Sequence, residues 1–209
     1  MAAAKSGFYY PNKMVRIYLT AIEEMVSPEA MKTVLNLADL PQFIEAYPPN
    51  NMGREVDFAD FSAIGAALEK MYGARGERGL GLHASKATFN QGVADLGSLT
   101  GVGELAFKAI SPNAKLKIGL KAMAESFNKF SDQVTVVEEA SDRFVYTIQR
   151  CPVCWGRTSS RPICYIAGGI IGAGLRWLSE GHYFEVDEVA CCATGDKSCV
   201  FHIKKETLS

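Results

Sequence analysis

The chain has 209 residues, 48% hydrophobic and 22% charged, which is enough material to bury a full core. A formal net charge of -1 argues against the clustered basic surface that nucleic-acid binding needs. The opening MAAAKSGFYYPNKM lacks the apolar run of a secretory signal and no window is long enough to span a membrane, so a cytoplasmic location is expected.

The first half reads as helices. SPEAMKTVLNLADL offers Ser27 as N-cap and Pro28 at the first helical position, followed by Met31, Val34, Leu35 and Leu37 at helical spacing. DFADFSAIGAALEKMYG puts Phe58, Phe61, Ile64, Leu68 and Met71 on one face and is expected to stop near Gly73. LHASKATFNQGVADLG and KLKIGLKAMAESFNKFS are expected to be helical too. Near residue 132 the period changes: QVTVVEEA and RFVYTIQR alternate as strands around a short polar turn. A loop, CPVCWGRTSSRP, leads into the small-residue helix CYIAGGIIGAGLRWLSEG and two further strands, HYFEVDEVA and SCVFHIK. The glycines of that helix do not make a dinucleotide fingerprint, because no strand feeds directly into them; they read instead as sites of close packing.

This order predicts a single α+β domain over residues 1–209. Residues 1–130 are its mainly helical part, and 131–209 its strand-strand-helix-strand-strand part. The helical half is expected to pack on an antiparallel sheet of about four strands, with a helix crossing between the strand pairs.

All six cysteines fall after residue 150. In a reducing compartment such clustering favours a metal over disulfides. The pattern VDEVACCATGDKSCVFHIKKE is a hairpin whose tip pinches sulfurs together, and zinc in a structural site takes four ligands from thiolate, imidazole and carboxylate. Candidate ligands are Cys164, Glu188, Cys191 and Cys199, with Cys192 competing for the place of Cys191. Glu188 and Cys191 have opposite parity, so the strand must bulge or end after Val189 for both to reach one ion. Cys151 and Cys154 form a separate CxxC without the flanking strand and helix of a redox site, and read as two loop cysteines capping a pocket.

The run RPICYIAGGIIGAGLRWLSEGHYFEVDEVACCATGDKSCVFHI resembles the carboxy-terminal half of the 4-vinyl reductase domain family, with matches at Cys164, Glu188, Cys191, Gly195, Asp196, Cys199 and Phe201. The resemblance implies an α+β fold shared with small trafficking-particle subunits and with the sensor domains of aromatic-responsive transcription activators. In those sensor domains the cysteine, acid, cysteine, cysteine set binds zinc, which implies Cys164, Glu188, Cys191 and Cys199 as ligands here. The family also includes a protein of bacteriochlorophyll synthesis, so one implied activity is vinyl-group reduction of a (bacterio)chlorophyll precursor, as enzyme or accessory subunit.

Binding is favoured over catalysis. No nucleotide loop is legible, the histidines His83, His182 and His202 are scattered, and a closed thiolate site leaves no open position for water. The expected ligand is a hydrophobic or aromatic small molecule, in a pocket lined by Phe144, Tyr146, Trp177, Phe184 and Val186. With several apolar helical faces on a short chain, a homodimer is expected.

Overall fold

The short strand β1 (Tyr9–Pro11) runs directly into α1 (Asn12–Val26), followed by α2 (Pro28–Leu37), the single turn α3 (Gln42–Glu45), β2 (Arg54–Asp57) and the long α4 (Phe58–Leu96). A second run gives α5 (Pro112–Phe130), β3 (Val134–Glu139), β4 (Arg143–Arg150), α6 (Tyr165–Leu178), β5 (Phe184–Ala190), a 3-10 turn at Cys192–Thr194, and β6 (Cys199–Thr207). These elements come from a computed structural model, which describes residues 4–96 and 111–208. Gly97, at the end of the third expected helix, lies outside the described residues. The α+β architecture anticipated from the change of period is present. No helix among the described residues is long and apolar enough to cross a membrane.

Local chemistry explains the helix starts. Ser27 Oγ accepts a hydrogen bond from the Ala30 N–H at 3.3 Å, and Pro28 opens α2 where its missing N–H costs nothing. At the start of α4 the carboxylate of Asp57 accepts from the Ala59 N–H at 2.8 Å, and also from the Ser6 hydroxyl at 2.8 Å and the Gly7 N–H at 3.0 Å. It therefore ties the amino-terminal segment to α4. Burial opposes the charge on Asp57, but the hydrogen bonds from Ser6, Ala59 and Gly7 outweigh it and hold the carboxyl below the usual carboxylate range. Asp57→Ala is expected to lower unfolding stability by about 1–2 kcal/mol at neutral pH, as measured by urea denaturation. Because the folded-state value is depressed, this contribution is complete above the unfolded value near pH 4 and is lost as pH falls through the folded one. The stabilities of wild type and Asp57→Ala should therefore converge in acid.

Two features depart from expectation. The helix expected to stop near Gly73 instead kinks there: Gly73 takes φ 70°, ψ 172°, and α4 resumes on the far side. Gly73 is a sound break signal, but the apolar positions beyond it still have a surface to cover. The strands β1 and β2 pair antiparallel, Tyr10 opposite Val56, and lack enough residues to show a period.

The four-stranded sheet has the order β3-β4-β6-β5, antiparallel throughout. Phe144, Tyr146 and Ile148 of β4 and Cys199, Phe201 and Ile203 of β6 alternate into its buried face, where Leu116 and Leu120 of α5 cover them. The helical layer has its own core, built from Val15, Leu19 and Ile22 of α1 and Phe58, Phe61, Ile64 and Leu68 of α4. Met71 and Leu37, expected on apolar faces, are exposed.

Helix α6 lies between the two cores. Ile166 and Ile170 pack into the helical one, and Ile171, Leu175 and Leu178 into the sheet one. Burial on two sides explains why it reads as almost wholly apolar and small. A Cβ at Gly169 would stand 2.0 Å from Ser85 Oγ of α4, and one at Gly174 2.3 Å from Met123 Cε of α5. Close approach is thus what these glycines permit.

Candidate metal centre

The β5–β6 register sets the hairpin side of the centre. Glu188 stands opposite Phe201 and Ala190 opposite Val200, so the pairing slips between them. That irregularity resolves the parity conflict and lets Glu188 and Cys191 face the same point. Beyond Ala190 the chain makes the 3-10 turn and leaves it through Gly195, at φ 100°. Asp196 Oδ2 accepts from the Cys191 N–H at 2.9 Å, fixing the direction in which that cysteine projects. The glycine-acid pair thus shapes the tip and does not itself reach the sulfurs.

Five sulfurs converge. Cys164 Sγ lies 3.6 Å from Cys151 Sγ, 3.7 Å from Cys191 Sγ and 3.6 Å from Cys199 Sγ, while Cys154 Sγ lies 3.4 Å from Cys199 Sγ. These separations are far beyond a disulfide bond, and all six cysteines are free. The ligand atoms of Cys164, Glu188, Cys191 and Cys199 lie within 4.8 Å of one another, and so do those of Cys151, Cys154, Cys164 and Cys199. The first set is the one the sequence pointed to. The second corrects the reading of Cys151 and Cys154 as separate loop cysteines: both side chains enter the cluster. Their approach follows from strand register. Ile148 of β4 pairs with Cys199 of β6, so a residue three positions further along, just past the strand end, emerges beside that sulfur. Cys192 stays outside both sets; its backbone N–H donates to Cys199 Sγ at 3.4 Å.

The donor chemistry suits a cation. Glu188 Oε2 accepts from the Cys164 N–H at 2.8 Å, while its Oε1 is buried with no hydrogen-bond partner. An unpartnered carboxylate oxygen facing a thiol cluster is costly unless a proton or a cation meets it. Burial, then the neighbouring Cys191, pushes the Glu188 carboxyl up to about 8. Burial first, then the surrounding thiols, push the Cys164 thiol well above its ordinary value. Packed acids that resist ionising together are what a divalent cation relieves, since it stabilises every anionic ligand at once. Cys192 is pushed up to about 11, mainly by burial, which leaves it an unreactive thiol.

A cavity of about 20 Å³ lies between the helical core and the sheet, bounded by Tyr10, Phe61, Tyr146, Ile148, Val153 and Ile170. Thr88 and Gln133 add the polar part of the wall. Of the five residues expected to line a pocket, Tyr146 does so, and its hydroxyl is buried with no partner. Phe144 is buried in the sheet core, and Phe184 and Val186 lie half-buried against it on the edge strand. Trp177 faces outward at 59% exposure, with its ring 6.4 Å from that of Phe89. The metal cluster and the cavity share walls. Val153 sits between Cys151 and Cys154, and Ile166 and Ile170 follow Cys164 along α6.

Comparison with known proteins agrees with this architecture. An uncharacterized protein of Methanocaldococcus jannaschii is 30% identical over 108 residues, covering 47% of this chain and 44% of that protein. The alignment thus spans less than half of that curated relative. Among solved structures, the Fe(II) unliganded H-NOX protein of K. algicida aligns with a TM-score of 0.62 at 13% identity, covering 95% of this chain and 97% of that one. An H-NOX structure determined to probe heme distortion in that family aligns at 0.60 and 12% identity over the same shares. At such identities the likeness is one of fold. The segment from residue 144 to residue 205, which supplies every sulfur of the cluster, the bulged strand and the glycine-acid turn, matches the family model of the 4-vinyl reductase domain and is a domain of that family.

Proposed function

We propose that this protein is a binding module for a hydrophobic or aromatic small molecule, in a sensing or carrier role, with zinc bracing the wall of the ligand cavity. The observation that carries the reading is the buried, mostly apolar cavity into which Tyr146 brings a hydroxyl without a partner. A ligand that is largely apolar with one polar group satisfies both features. Zinc at Cys164, Glu188, Cys191 and Cys199 would join the start of α6 to the β5–β6 hairpin, a closed site whose chemistry is structural. At about 20 Å³ the cavity has room for about one water, so a ring-sized ligand requires its walls to part.

Haem does not fit these residues. Among the described residues the cavity wall contains no histidine, His83 and His182 are exposed, and His202 is half-buried on β6. The H-NOX likeness therefore supports the architecture of the reading and not its ligand. A homodimer forms part of the proposal, with exposed Trp177 and Tyr183 as apolar surface for a second copy.

Native mass spectrometry of the purified protein tests all three elements. The expected spectrum shows a dimer, bound zinc and an apolar small-molecule adduct. Tyr146→Phe is expected to lose the adduct while keeping the zinc, and to leave the empty protein as stable as wild type or more so by about 1–3 kcal/mol, since it removes an unsatisfied buried hydroxyl. Reduction of a vinyl tetrapyrrole by the protein with added nicotinamide would replace this reading with an enzymatic one.

A further inference from the structure

We infer that the thiol cluster holds two divalent metal ions that share Cys164 and Cys199 as bridging thiolates. The inference rests on the reading of Cys164, Glu188, Cys191 and Cys199 as a zinc site and extends it by a second ion on Cys151 and Cys154.

The two four-residue sets have Cys164 and Cys199 in common, and each adds two residues of its own: Glu188 and Cys191 on one side, Cys151 and Cys154 on the other. Two tetrahedra sharing one edge need this arrangement of two bridging and four terminal ligands. A tetrahedral zinc with Zn–S near 2.3 Å spaces its sulfurs by about 3.8 Å. The shared edge, Cys164 to Cys199, measures 3.6 Å, and the edges running from it to Cys191, Cys151 and Cys154 measure 3.7, 3.6 and 3.4 Å. Both sides of the cluster therefore have the spacing of a metal-binding tetrahedron.

Charge balance points the same way. Five thiolates and one carboxylate carry six negative charges in a site where Cys151 and Cys154 are 2% and 1% exposed. One divalent ion would leave four of those charges in the interior, or force Cys151 and Cys154 to remain thiols pressed against bound thiolates. Two ions leave two, and every sulfur then has a cation beside it. The loop is also shaped for ligation. Cys151 and Cys154 have the two-residue spacing common to zinc loops, Gly156 takes φ 69°, and the Arg157 N–H closes a turn on the Cys154 carbonyl at 3.1 Å. In this arrangement the second ion would hold Val153, and with it one wall of the cavity.

Metal-stripped protein refolded with cobalt(II), followed by its thiolate-to-metal absorption, should saturate at two equivalents per chain; saturation at one overturns the inference. Elemental analysis of zinc-loaded protein should give two zinc per chain in wild type and one in the Cys151→Ser/Cys154→Ser variant. One zinc in both overturns the second ion and leaves the first site standing, whereas none in either overturns both. Iron with inorganic sulfide in the purified protein would likewise overturn the inference. If the double variant does not fold, the wild-type cobalt endpoint still decides.

Discussion

Protein stripped of metal by a strong chelator is expected to lose its cooperative thermal transition, and Cys199→Ser is expected to do the same with metal present. Cys199 belongs to both ligand sets and opens β6, the strand that pairs with β4 on one side and β5 on the other. Binding free energies of structural zinc in small domains are about 10–16 kcal/mol at neutral pH, as large as the whole stability of an ordinary domain at about 5–15 kcal/mol. Without the ion, five thiols and a carboxyl must stay packed together, with Glu188 Oε1 buried and unpartnered. The sheet core of Phe144, Tyr146 and Phe201 begins within a few residues of these ligands, so the damage should spread beyond the hairpin tip. Circular dichroism against temperature, with metal content measured on the same sample, checks this. An unchanged midpoint in verified metal-free protein would show that packing alone holds the cluster.

The sheet was legible in the sequence because its strands expose one face, so alternation survives in residues such as Phe144, Tyr146 and Ile148. The bulge after Glu188 was legible too, because two ligands of opposite parity had to meet. The kink at Gly73 was not: a glycine with positive φ ends most helices, and only tertiary packing shows that this one continues. Cys151 and Cys154 were missed for a different reason. Their place depends on the β4–β6 register, which pairs residues some fifty positions apart, Ile148 with Cys199. Trp177 misled because helix position outranks residue type. It falls on the face of α6 opposite to Ile170, Ile171 and Gly174, where neither core reaches.

Arg157→Met is expected to destabilise the protein by about 3–5 kcal/mol at neutral pH, the usual cost of leaving one member of a buried ion pair alone. Arg157 Nη1 lies 2.7 Å from Glu77 Oε1 and its Nη2 lies 2.8 Å from Glu69 Oε2, with side chains only 9% exposed for Arg157 and 5% for Glu77. Glu69 and Glu77 lie on opposite sides of Gly73, so one guanidinium fork holds both halves of α4 across the kink. Gly65 makes room for it, since a Cβ there would stand 2.7 Å from Arg157 Nη1. Arg157 also lies three residues beyond Cys154, so the same fork anchors the cysteine loop to the helical core. Burial already raises the Glu77 carboxyl above its ordinary value, and Arg157 opposes that rise. Without the arginine, folded Glu77 holds its proton more tightly than unfolded Glu77. Stability of the variant should therefore fall as pH rises from about 4.5 through the new folded value, and recover toward acid. Urea unfolding at pH 7 and pH 5 measures both effects. Adding Glu77→Gln to Arg157→Met removes the stranded charge and should restore most of the loss at pH 7. A loss below about 1 kcal/mol in the single variant, the range of an exposed pair, would mean that water reaches Glu77 and that the kink holds without its clamp.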